Sequence, residues 1–114
     1  MESKAKAEAI TEIADEMKAE RIETLDVHAK TVLADYLVVC SGNSDVHVRS
    51  IADRIAEKMR EKKMKARSVE GKQSGWVLLD FGDVVCHVMR EEQRQFYDLE
   101  SLWNAMPKSE SLEA

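Results

Sequence analysis

The feature that most constrains the fold is a pair of short apolar runs separated by only two residues. Trp76–Phe81 and Val84–Met89 are each long enough to form a strand, and Gly82-Asp83 joins them. A connection this short places two strands side by side in antiparallel orientation. The sequence therefore predicts a β-hairpin, around which the rest of the chain must be arranged.

The other apolar patterns extend this hairpin into a domain with the element order α-β-β-α-β-β-β-α. We expect helices over residues 3–20, from Asn43 or Ser44 to about residue 64, and through Phe96 to Met106, with further strands over residues 22–28, 31–41 and 65–70. The continuous apolar run Tyr36–Cys40 is typical of a strand covered on both faces. The predicted fold is a single α/β domain over residues 3–106, a mixed sheet carrying helices, followed by a disordered tail at residues 107–114.

Composition limits the classes of function. The chain of 114 residues has a net charge of −5, whereas a protein that binds by neutralising phosphates needs a basic excess. Its basic run Arg60–Arg67 ends a predicted helix, where cations are favoured by the dipole and solvated. No apolar run reaches the roughly 18 residues of a membrane span, and no signal or transit segment is apparent. We expect a cytoplasmic protein without direct nucleic-acid readout or membrane contact, in which Cys40 and Cys86 belong to the core.

Histidine and cysteine spacing does not favour a metal site or a nucleophile. His28, His47 and His87 lie far apart and form no ligand pair at helical or hairpin spacing. We interpret His28 as exposed and His47 as packing beside the turn before its helix. The sequence therefore predicts no metal and no cofactor.

Acidic residues on predicted strands keep one catalytic alternative open, a nucleotide-using transferase. Asp35, Asp80 and Asp83 lie on or beside strands, where paired acids could hold magnesium for phosphoryl transfer. That chemistry normally needs two acids one residue apart, on the same face of a strand. Asp80 and Asp83 are three apart across a turn, so we favour a protein that is not an enzyme.

Alternation divides the strand Trp76–Phe81 into two rows of side chains. Val77, Leu79 and Phe81 form a row that we assign to the core, and Trp76, Leu78 and Asp80 form the opposite row. The second row is compatible with another core face beneath a helix, but its carboxylate would then need a buried partner. We favour a half-exposed docking face with an aromatic anchor and a polar rim. The predicted function is thus the binding of another macromolecule.

Several ordered blocks of this sequence resemble one known family. They are DYLVVCSGNSDVHVRSIADRI at Asp35–Ile55, the pair Glu70-Gly71, GWVLLDFGDVVCHV at Gly75–Val88, and RQFYDLESLW at Arg94–Trp103. In these blocks the chain resembles the ribosomal silencing factor family, also called the Iojap-like proteins. Together the blocks span most of residues 10–106.

The resemblance implies a fold similar to that of nucleotidyltransferases but without their catalytic acids, and usually a homodimer. It implies binding to the large ribosomal subunit through its ribosomal protein fourteen, on the surface that faces the small subunit. Such binding sterically blocks subunit joining and lowers translation when nutrients are scarce. The family's docking strand matches Trp76, Leu78 and Asp80, and the matching His87 and Tyr97 are further candidates for partner contact.

Overall fold

The computed structural model describes residues 2–29, 34–71 and 75–97, with the side chains of the last segment given up to residue 94. Its elements are α1 (Ser3–Glu16), β1 (Glu20–Asp26), β2 (Tyr36–Gly42), α2 (Asp45–Glu61), β3 (Ser68–Glu70), β4 (Trp76–Asp80), β5 (Val84–Arg90) and α3 (Glu91–Tyr97). This order confirms the α-β-β-α-β-β-β-α prediction. α3 begins at Glu91, earlier than the start predicted at Phe96, and the predicted helix beyond Tyr97 and the predicted tail lie outside the described residues.

The strands form one mixed sheet in the order β1-β2-β5-β4-β3. β2 and β5 are parallel, whereas the other neighbouring pairs are antiparallel. β4 and β5 pair with Trp76 opposite Met89 and Asp80 opposite Val85, which confirms the predicted hairpin. Parallel neighbours need a long crossover, and the segment containing α2, β3 and β4 provides it.

Both faces of the sheet carry apolar side chains, but different elements cover them. On the first face, α1 and α2 pack over buried side chains of β2, β4 and β5: Val38, Cys40, Val77, Leu79, Cys86 and Val88. On the second face, a smaller buried cluster contains Val27, Leu37, Val39 and Met89, with Trp76 and Val85 partly buried against it. β2 contributes to both clusters, so the prediction from the run Tyr36–Cys40 is confirmed.

The two long helices end three or four residues before their predicted limits because lysines reverse the backbone there. Lys18 and Lys63 adopt left-handed conformations, with φ of 61° and 68°. The following residues, Ala19 and Met64, donate backbone N–H groups to carbonyls five residues back. This is the Schellman arrangement, which usually places glycine at the left-handed position. The early end of α1 also lets β1 begin at Glu20 rather than at residue 22.

Ser44 begins α2, as one of the two predicted caps. Its hydroxyl oxygen accepts a hydrogen bond from the backbone N–H of His47 at 3.0 Å. The His47 ring closes the same turn: Nδ1 accepts from the backbone N–H of Asn43 at 3.0 Å, and Nε2 lies 2.9 Å from the carbonyl oxygen of Met17. His47 therefore supports the turn between β2 and α2, as predicted.

Cys40 and Cys86 are free thiols with no exposed surface, which confirms their assignment to the core. A hydrogen bond with Cys40, together with burial, raises the pKa of the Cys86 thiol well above its usual value. The thiol therefore stays protonated and behaves as a small apolar side chain. Among the described helices, none has the length and apolar character needed to cross a bilayer.

Candidate functional site

Strand β4 presents the docking row, which we define as Trp76, Leu78 and Asp80, on the second face of the sheet. These three side chains are half-buried, while Val77 and Leu79 between them have no exposed surface. The alternation predicted from the sequence is thus confirmed. The docking row is accessible enough for contact, yet its backbone belongs to a paired strand and is held rigidly.

The indole of Trp76 is hydrogen-bonded to the imidazole of His87 on the neighbouring strand. Trp76 Nε1 donates to His87 Nδ1 at 2.9 Å, and the two ring centroids lie 5.8 Å apart at a tilt of 54°. An indole N–H only donates, so Nδ1 must be the unprotonated nitrogen. Burial lowers the pKa of His87 from 6.5 to about 4, so the ring is neutral at physiological pH. The pair is therefore an uncharged, directional contact.

Asp80 ends the docking row and is held by two neighbours. Its Oδ1 accepts the backbone N–H of Gly82 at 2.8 Å, and its Oδ2 lies 3.2 Å from Nη2 of Arg67. The bond from Gly82, and then the Arg67 guanidinium, lower the pKa of the Asp80 carboxyl below its usual value. Asp80 is consequently an ionised, fixed acceptor at the edge of the row, and no unpaired carboxylate is buried there.

Acidic side chains border the second face on both edges of the sheet. In one cross-strand line, β-pairing places Glu23, Val39, His87, Leu78 and Glu70 in succession from β1 to β3. The two glutamates are exposed, whereas the three residues between them are buried or half-buried. An apolar centre with a polar, charged border has the composition of a contact surface, and Glu23 in that border is paired with Arg94.

α3 carries the last predicted contact residue and is anchored by a buried arginine. Tyr97 ends α3, but its side chain lies outside the described residues, so its role stays a prediction. Arg94, only 1% exposed, donates from Nη1 to Ser41 Oγ at 3.0 Å and lies 3.2 Å from a Glu23 oxygen through Nη2. It also donates to the carbonyl of Arg21. These contacts fix α3 to β1 and β2.

Two arginines in these networks were missed by sequence reasoning. Arg94 follows a polar stretch, Glu91–Gln93, and no local pattern indicates that it is buried. Arg67 belongs to the basic run that we interpreted as solvated. It is largely exposed, but it also pairs with Asp80 across the β3–β4 edge. The sequence gives no indication of that pair, because it depends on the β3–β4 register, which places Ser68 opposite Asp80 and so brings Arg67 near the carboxylate.

The remaining histidine and acidic candidates do not gather into a site. His28 is exposed, as its position at a strand end predicted, and the structure adds a contact with the Asp26 carboxylate. Asp83 Oδ1 lies 2.6 Å from Nζ of Lys6, which also donates to the Phe81 carbonyl at 3.2 Å. Within residues 2–29, 34–71 and 75–97, no three His, Cys, Asp or Glu side chains are placed to hold a metal ion.

Comparison with known proteins agrees with the resemblance drawn from the blocks. A family model described as "Ribosomal silencing factor during starvation" matches residues 1–114. The chain belongs to the ribosomal silencing factor family. This family is not known as a family of enzymes, and its name associates it with silencing of the ribosome.

Ribosomal silencing factors from distant organisms align with most of the chain. The Bacillus subtilis ribosomal silencing factor is 40% identical over 94 residues, which cover 82% of this chain and 80% of that protein. An Iojap-related mitochondrial protein of Arabidopsis thaliana is 33% identical over 101 residues, covering 84% of this chain and 55% of that protein. The family resemblance therefore extends well beyond strand β4.

Solved structures have the same fold. A crystal structure of a Chromobacterium violaceum protein superposes with a TM-score of 0.89 at 33% identity, covering 96% of this chain and 92% of that one. A second, from Bacillus halodurans, gives a TM-score of 0.76 at 34% identity, covering 84% and 90%. The mixed sheet with its helices is therefore an architecture that these proteins share.

Proposed function

We propose that this ribosomal silencing factor binds the large ribosomal subunit through its ribosomal protein fourteen and sterically blocks joining of the small subunit, lowering translation when nutrients are limiting. The observation that carries the proposal is the half-buried docking row on the second face, in a chain of this family. Steric blocking needs a stable surface and bulk, but no chemistry. Asp83 and Asp80 form separate ion pairs with Lys6 and Arg67, an arrangement that does not require them to act as a catalytic pair.

The docking row has the physical properties of a binding hot spot. Trp76 offers a large apolar surface with one polar atom, and Leu78 continues that surface along the strand. Hot-spot residues are typically aromatic anchors surrounded by contacts that exclude water. Asp80, fixed and ionised, supplies a charged group at the end of the row. The row thus combines an anchor with a directional polar contact.

The charge of the second face supports a basic protein as partner. The chain carries a net charge of −5, and Glu70 borders the apolar centre at one edge, while Glu23 at the other edge is paired with Arg94. Opposite charges speed encounter and select against acidic partners. We therefore expect the contact to be made with a basic ribosomal protein rather than with ribosomal RNA.

Sedimentation with purified large subunits tests the binding step. The wild-type chain should travel with the subunits at moderate salt, and Trp76→Ala should weaken binding by about 2 kcal/mol, roughly 30-fold. Glu57→Ala is the matched surface control, because Glu57 is exposed on α2 and belongs to the other side of the sheet. Wild-type protein that stays at the top of the gradient would refute the proposal. An unfolded Trp76→Ala variant would instead support the core interpretation of the row.

A subunit-joining assay tests the blocking step separately. Small subunits are added to large subunits saturated with the protein, and the joined ribosome is measured by light scattering. We expect the yield of joined ribosomes to fall in proportion to occupancy. If the subunits join fully while the protein saturates the large subunit, the protein binds the ribosome without blocking association, and the blocking step of the proposal is wrong.

Three further parts of the proposal have their own tests. We propose that the protein is a homodimer and acts in the cytoplasm. Sedimentation velocity of the free protein at micromolar concentration would measure its oligomeric state. We propose that residues 3–106 carry the function, so a chain ending at residue 106 should bind as well as the full chain. The likeness to the nucleotidyltransferase fold stays a prediction, and calorimetric heat from ATP or CTP with magnesium would favour the enzyme alternative.

A further inference from the structure

The hydrogen bond between Trp76 and His87 joins a half-exposed anchor to the interior of the sheet. His87 lies on β5, which is paired with β2 on one side and with β4 on the other. Its backbone is therefore fixed by a ladder on each side, whereas Trp76 is the first residue of β4 and is paired there with Met89 of β5, beyond the register shared with β3. Of the two rings, the imidazole is the fixed one.

The position of His87 explains why it is aimed at Trp76 rather than at a partner. On the second face, Leu78 lies directly opposite His87 and Met89 lies directly opposite Trp76. The imidazole therefore meets Trp76 along the diagonal between two cross-strand pairs, a separation that aromatic side chains can span. The 2.9 Å bond from Trp76 Nε1 uses the nitrogen that faces β4.

We propose that His87 is a positioning residue, which holds the Trp76 indole in the orientation that docking requires and accepts its N–H while a partner covers the row. This inference rests on the proposed function, since it assigns a role within the same site. It changes the role of His87 from a predicted partner contact to a support for the anchor.

Desolvation is the physical reason that the acceptor matters during binding. When a partner covers Trp76, water can no longer accept the indole N–H, and an unpaired buried donor is costly. A neutral imidazole supplies the acceptor in advance. The indole N–H therefore keeps its hydrogen bond when binding displaces water from Trp76. Avoiding the cost of an unpaired donor is the advantage of this preorganised contact.

A pair of substitutions separates the acceptor from the ring. His87→Asn places an amide oxygen where Nδ1 stands and keeps an acceptor, whereas His87→Leu fills similar space with none. In the free protein, the Trp76 indole N–H is followed by nitrogen–proton NMR, with Trp103→Phe used to assign the two tryptophan signals. We expect the signal to keep its position and its protection from exchange in His87→Asn, and to shift and exchange faster in His87→Leu. If His87→Leu does not fold, His87→Val takes its place.

Binding to purified large subunits supplies the second readout. We expect His87→Asn to bind within about threefold of wild type and His87→Leu to bind roughly tenfold more weakly, the scale of one hydrogen bond. An unchanged indole signal in His87→Leu would overturn the positioning role. Equal weakening in both variants, with the indole signal intact in His87→Asn, would also overturn it and make His87 a direct contact. Absence of wild-type binding would refute the proposed function instead, while the NMR result still decides whether His87 orients Trp76.

Discussion

The two sides of strand β4 perform different tasks although their residues alternate along one backbone. Val77 and Leu79 have no exposed surface and belong to the cluster that α2 covers. Trp76 and Leu78 remain half-buried on the second face, where the apolar cluster is smaller. One strand can thus fix the fold with one row of side chains and present a binding surface with the other. Substitutions in adjacent positions should therefore separate stability from binding.

Leu78 and Leu79 provide a matched pair for this comparison. Leu79→Ala should lower the free energy of unfolding by about 4 kcal/mol, because it removes buried methyl groups and leaves a cavity under the helices. Leu78→Ala should cost about 1 kcal/mol, since its side chain is half-buried. Urea denaturation followed by circular dichroism measures both.

Ribosome binding should rank the same pair in the opposite order. Under conditions where both variants are folded, Leu78→Ala should weaken binding to large subunits and Leu79→Ala should not. Equal stability losses in the two variants would contradict the assignment of Leu78 to a half-exposed row. If Leu78→Ala binds as well as wild type, Leu78 makes no contact with the partner, and Trp76 is the apolar anchor of the docking row.

His87 gives the second face a stability that depends on pH in the mildly acidic range. Above pH 6.5 its ring is neutral in the folded and unfolded chain, so it adds no pH dependence. As the pH falls from 6.5, the unfolded chain binds a proton that the folded chain does not, until the folded pKa of about 4 is reached. Stability should fall by at most about 3 kcal/mol across that window.

His87→Asn is the control that isolates this titration. Burial causes the shift in the pKa of His87, and the variant retains every other titratable group of the chain, including Asp80 on β4 and Glu23 on β1. The difference between the two stability profiles therefore belongs to His87. A constant difference between pH 7 and pH 4.5 would contradict the burial of the imidazole.

Arg94 tests whether α3 depends on the second face. Arg94→Ala should lower the free energy of unfolding by about 2 kcal/mol, because it removes charge-assisted hydrogen bonds and buried methylene groups. Arg54→Ala is the control, as Arg54 makes a more exposed helical pair with Glu57 at 3.5 Å and should contribute less than about 0.5 kcal/mol. Hydrogen exchange should show α3 amides losing protection before those of α2. Equal losses in the two variants would mean that Arg94 is not an anchor.

Local patterns were sufficient to predict the elements, whereas long-range contacts were not predictable. Apolar alternation and the two-residue joint at Gly82-Asp83 predicted the hairpin and the two rows of β4. Helix ends were placed too late because Lys18 and Lys63 occupy left-handed positions where glycine would have been the signal. The Arg94–Ser41 bond spans 53 residues of sequence, so it depends on the assembled sheet and on no local pattern.

The site divides in the same way. Alternation identified the docking row, but the cross-strand partner of Trp76 required the register of β4 against β5. His87 was named through the family resemblance, and its hydrogen bond to the indole appeared only in the structure. The sequence thus predicts which residues face outward, and the register determines which of them act together.

The smallest expected effect concerns the charged end of the docking row. Asp80→Asn keeps an oxygen that can accept the Gly82 N–H but loses the charge that pairs with Arg67. Because the Arg67 side chain is 69% exposed, the ion pair should contribute less than about 0.5 kcal/mol to stability. Arg67→Ala should therefore leave both unfolding and binding almost unchanged. Asp80→Asn should weaken binding at low salt and differ less from wild type as salt screens the partner's charge. A stability loss in Asp80→Asn as large as that of Leu78→Ala would show that the Asp80 carboxylate supports the fold. Glu70 would then be the remaining acidic candidate for partner contact on that edge.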